Sequence, residues 1–86
     1  MSKFDEAIAG YIRIYELSGD PPMLYNIGQS YRLSNRPEQA IRFYRRYLQR
    51  APGASNRDDV EAKISTLEQA IQQKTTSPAP QPPQNQ

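Results

Sequence analysis

The sequence predicts an all-α fold of antiparallel helical hairpins followed by a disordered proline-rich tail, and three observations carry that expectation. Apolar residues recur at helical spacing in four segments, as with Leu24, Ile27 and Tyr31 in the second. Each segment is bounded by the residues that start and stop helices. A block of the first segment also returns in the third: Ala7-Ile8 matches Ala40-Ile41, and Ala-x-x-x-Tyr recurs as Ala7/Tyr11 and Ala40/Tyr44, 33 residues apart. A period of that length between helices marks a stack of helical repeats.

The first helix is expected from about Phe4 to Leu17. Its apolar residues Phe4, Ala7, Ile8, Tyr11, Ile12, Ile14 and Tyr15 cover an arc of roughly 160°, wider than one stripe, so it requires neighbours on two sides. The run "SGDPP" ends it: Gly19 suits a left-handed C-terminal cap, Asp20 an N-cap, and Pro21 the first turn of the next helix. That second helix extends to about Leu33 and carries Gly28 in its interior, a placement that costs about 1 kcal/mol against alanine unless a neighbour must come close. In "SNRPE", Asn35 tolerates left-handed geometry and Pro37 opens a third helix through Ala40, Ile41, Tyr44, Tyr47 and Leu48 to the break at "APGAS".

Ser55 and Asp58 form an S-x-x-D start signal for a fourth helix over about 56–73. Its apolar residues Val60, Ile64, Leu67 and Ile71 make one narrow stripe, as in a helix that covers a core on one side and meets water on the other. The folded domain is thus expected over 1–74. The tail, 75–86, holds Pro78, Pro80, Pro82 and Pro83, which favour extended conformations without internal hydrogen bonds. It reads as a spacer.

Composition narrows the function. Cysteine and histidine are both absent, which removes disulfides, thiolate ligands, the usual zinc sites and the commonest general base. The adjacent carboxylates Asp5-Glu6 and Asp58-Asp59 stand near helix starts, where negative charge favours the helix dipole. No glycine-rich phosphate loop occurs, so no catalytic residue, metal or cofactor is expected. The chain shows neither a secretory leader nor an apolar run of membrane length, which makes a soluble cytoplasmic protein the default.

The segment Pro21–Ala54 resembles the tetratricopeptide repeat, whose pattern of L-G-x₂-Y, then A-x₃-F, then P maps onto Ile27, Gly28, Tyr31, Ala40, Tyr44 and Pro52, with Leu24 at the preceding apolar position. The resemblance implies one full repeat over about 21–54, a half repeat before it and a capping helix after it. It implies that Gly28 faces Ala40 so that two helices approach closely, with Tyr31 and Tyr44 filling the adjacent space. It also implies a non-catalytic interaction module or adaptor. Its groove would take a peptide or a partner helix on the residues of the second helix that the core leaves free: Tyr25, Asn26, Gln29 and Arg32. Amides pair with a peptide backbone and Arg32 forks onto a carboxylate.

Two other readings follow from the residues. The half repeat leaves the wide first helix short of a neighbour, so Phe4, Ile8, Ile12 and Tyr15 are expected to support a homodimer, unless a longer parent chain supplies the missing helix. Arg42, Arg45, Arg46 and Arg50 form a basic helix face that invites a nucleic-acid partner. That last reading is the least favoured, because Tyr44 and Tyr47 are expected in the core and so unavailable to stack on bases.

Overall fold

Residues 2–76 are described by the computed structural model, Thr75 and Thr76 by backbone alone. Among them are four helices and no strand: α1 (Lys3–Ser18), α2 (Pro21–Leu33), α3 (Pro37–Arg50) and α4 (Arg57–Thr76). Helix α1 opens on Ser2, whose hydroxyl accepts from the Asp5 amide at 3.0 Å and so satisfies one of the donors a helix start leaves orphaned. It closes on Gly19 at φ 69, whose N–H donates to the Tyr15 carbonyl. Asp20 stands at the N-cap of α2 without a side-chain cap bond, and Pro21 fills the first turn. Asn35 takes the left-handed conformation at φ 61, and Pro37 opens α3.

The start of α4 differs from the sequence expectation. The helix begins at Arg57, two residues past Ser55, which makes no side-chain hydrogen bond among the described residues. Asn56 precedes the helix, and its side-chain oxygen accepts from the Tyr47 hydroxyl at 2.8 Å. A tertiary contact thus fixes this helix start in place of a local capping box. At its other end α4 runs through Thr76, two residues beyond the expected limit of the domain. The tail expectation for 77–86 lies outside the described residues.

Each helix packs on the next in the chain. The Cα envelope measures 56 × 33 × 14 Å. Side chains also join alternate helices: Arg50 of α3 donates to the Tyr15 hydroxyl of α1, so α1 lies beside α3 as well as on α2.

The main core lies in the seams around α3. Leu24 of α2, Ala40, Ile41, Tyr44, Tyr47 and Leu48 of α3, and Val60 and Ile64 of α4 form one buried cluster. The buried positions of α3 span an arc of about 120°, and its arginines Arg42, Arg45, Arg46 and Arg50 occupy the rest of the circumference. Burial on α4 fades along its stripe from Val60 and Ile64 to the half-buried Leu67 and Ile71, so α4 is held mainly by its first half.

Gly28 does have a close neighbour: the three atoms nearest to a Cβ there all belong to the Tyr44 ring, ahead of the Ala40 that the resemblance implies. A Cβ placed on Gly28 would meet the Tyr44 ring, 2.8 Å from Cδ1 and 2.9 Å from Cε1. The ring lies flat against the bare backbone of α2, and any larger residue at 28 would displace it.

Candidate functional site

The groove residues named from the sequence separate into two groups. At 100° per residue Tyr25, Gln29 and Arg32 fall within about 60° of one another on α2, and Asn26 lies about 60° to one side. The first three meet at Tyr44. Its hydroxyl donates to Gln29 Oε1 and accepts from Arg32 Nε at 3.1 Å, while Arg32 Nε also reaches Gln29 Oε1 at 3.3 Å. The ring of Tyr25 stands 5.7 Å from that of Tyr44 and 5.5 Å from that of Tyr47. Asn26 is half-buried and makes no side-chain hydrogen bond among the described residues.

Arg32 then opens into a cleft of about 280 Å³ between α2 and α4, lined with Asp59, Ala62, Lys63, Thr66 and Leu67. Its Nε is committed to Tyr44 and Gln29, which orients the guanidinium, and neither Nη atom has a hydrogen-bond partner among the described residues. Lys63 Nζ lies 2.5 Å from Asp59 Oδ2. That bond raises the Lys63 pKa above its ordinary 10.5, burial opposes the rise, and the Tyr25 and Tyr44 hydroxyls reinforce it. Burial pushes the Tyr44 hydroxyl above its ordinary 10.0, against the pull of Arg32. At neutral pH the cleft therefore presents two cations and one carboxylate beside an apolar wall of Ala62 and Leu67. It is chemically fitted to hold a carboxylate next to an apolar side chain.

Sequence reasoning placed Arg32 in a groove but missed Tyr44, which it assigned wholly to packing. A tyrosine where the repeat pattern asks for phenylalanine was the available signal, since a buried hydroxyl requires a partner.

The residues expected to support self-association are mostly turned inward. Ile8 is buried. Ile12 and Tyr15 line a second cavity of about 210 Å³ between α1, α2 and α3, with Leu24, Ile27 and Phe43. Phe4 alone of the four is exposed. The remaining large apolar residues on the surface of α1 are Ile14 and Leu17.

Most of the basic face is used within the chain. Arg45 pairs with Glu68, Arg50 donates to the Tyr15 hydroxyl, and Arg46 lies 5.4 Å over the Phe43 ring. Among the described residues Arg42 has no such partner. Both acidic pairs are also partly engaged, Asp5 with Arg36 at 2.5 Å and Asp59 with Lys63. No group of three or more potential metal ligands occurs among the described residues, and no described helix is long and apolar enough to cross a membrane. Comparison with family models, with curated proteins and with solved structures returned no match.

Proposed function

We propose that the chain is a non-catalytic interaction module of tetratricopeptide type, which takes an extended peptide or a partner helix in the cleft between α2 and α4. The observation that carries this reading is Arg32, which lines the cleft and is held by Tyr44 and Gln29 through its Nε. A side chain fixed before binding loses little entropy on meeting a carboxylate. The 33-residue spacing of the Ala-Ile blocks and the close approach at Gly28 support the repeat assignment. Asn26, about 60° further round α2 than Gln29, has a side-chain amide without a hydrogen-bond partner among the described residues, and such an amide can pair with a peptide backbone.

A fluorescence-anisotropy screen of short peptides rich in acidic residues, or ending in a free carboxylate, tests the reading. Arg32 also braces the core, so the informative variant is Asn26→Ala combined with Lys63→Ala. It should weaken the selected peptides at least tenfold, which corresponds to about 1.4 kcal/mol, with helicity unchanged. Binding that ignores this variant, depends instead on Arg42 and collapses with salt would place the site on the basic face and sink the groove proposal.

A further inference from the structure

We infer that the outward face of α1 is a homodimer interface, covered by α1 of a second copy of this chain lying antiparallel across Gly10. The inference is independent of the cleft between α2 and α4. Lys3, Ala7, Gly10, Ile14 and Leu17 are spaced 4, 3, 4 and 3, the seam spacing along which two helices pair. They fall within an arc of about 80°.

That arc is open. Ile14 and Leu17 are 48% and 81% exposed, and a Cβ on Gly10 would meet no atom within 4 Å. Of the corresponding positions of α3, 33 residues on, Ala40 and Tyr47 are buried, Phe43 is half-buried and Arg50 is exposed.

Charge identifies the occupant and its direction. Glu6 and Arg13 border the seam on one flank, seven residues apart, and neither has a side-chain partner among the described residues. In an antiparallel pair centred on Gly10, each Glu6 stands opposite the partner's Arg13, and two-fold symmetry makes this contact twice. The same register lays Ile14 against the partner's Ala7 and Leu17 on the aliphatic stem of the partner's Lys3. Gly10 at the crossing allows the two backbones to approach closely. A parallel pair would set the charged flank against the partner's Phe4 and Tyr11 and leave all four charges unmatched. A contact of one helix per copy is small, at the low end of specific interfaces.

Sedimentation equilibrium of the full chain over micromolar concentrations reads the association directly. Glu6→Arg and Arg13→Glu each place like charges face to face twice, and each should raise the dissociation constant more than about tenfold. Both sites are exposed, and circular dichroism should show unchanged helicity. An equimolar mixture of the two single variants should recover association, because each Arg then faces a Glu again. A chain that stays monomeric at millimolar concentration overturns the proposal, as does either single variant associating like the parent. A mixture that remains monomeric overturns it too, and would leave the face to a different segment.

Discussion

Replacing Gly28 with alanine sets two known effects against each other, and the geometry decides the sign. Alanine in a helix interior gains about 1 kcal/mol over glycine. Its Cβ, however, would lie 2.8 and 2.9 Å from two carbons of the Tyr44 ring, short of ordinary carbon contact by about 0.6 Å or more. The ring has little room to yield. It is fully buried, its hydroxyl is tied to Gln29 and Arg32, and the Tyr25 ring stands beside it. Overpacking of this kind costs about 1–3 kcal/mol, so the net effect should be a loss of about 1 kcal/mol, or a Tm lower by roughly 4–8 °C for a domain of this size. Gly10→Ala is the matched control: that position is also helical but open, and dilute protein should show a Tm raised by a similar amount. Gly28→Leu should exceed the alanine loss. Thermal melts followed by circular dichroism decide the matter, and a Gly28→Ala chain as stable as the parent would refute the close approach of α2 and α3.

Tyr44→Phe leaves Gln29 and Arg32 without a buried partner and should cost about 0.5–1.5 kcal/mol by urea titration. Because burial raises the Tyr44 pKa in the folded state, its contribution is present below pH 10.0 and is lost as pH rises through the folded value. The phenylalanine variant should therefore show a flatter alkaline limb. The hydrogen bond from Arg36, with help from Ser2, holds the Asp5 carboxyl below its ordinary 3.8. That contribution is full above pH 3.8 and vanishes as pH falls through the folded value, so the Tm gap between parent and Asp5→Asn should close in acid. Val60→Ala, at a fully buried contact of α4, should lose about 2 kcal/mol and reduce the protection of α4 amides from exchange before those of α2.

Much of the helical framework was legible because its signals are local. Gly19, Asn35, Pro21 and Pro37 each mark a boundary through backbone conformation alone, and each stands where the sequence places it. The Ser2-x-x-Asp5 cap is the same signal that was assigned to Ser55, and at α1 it is used. At α4 it loses to Asn56, whose bond to Tyr47 depends on how two helices meet. The same limit governs the inward turn of Ile8: a wide apolar arc does not say which half its one neighbour will cover. Gly28 announced a close approach, but choosing Tyr44 over Ala40 required the relative rotation of two helices. The outward residues of α2 could be read from periodicity, whereas the cleft itself depends on Lys63 and Asp59 arriving from α4, beyond the whole of α3.

The sequential packing of the helices also bears on how the chain folds. Every helix packs on its immediate successor, across connections of two, three and six residues, so no long loop must close before a contact forms. The entropic barrier is correspondingly low, and folding in the microsecond to millisecond range is expected. Propagation can start at the α2–α3 seam, which holds most of the buried cluster, and spread by one helix in each direction. Unfolding should run the other way. Stopped-flow or temperature-jump relaxation would then show α1 and the distal half of α4 opening ahead of the central hairpin, as two separate low-energy exchange groups flanking a slower one.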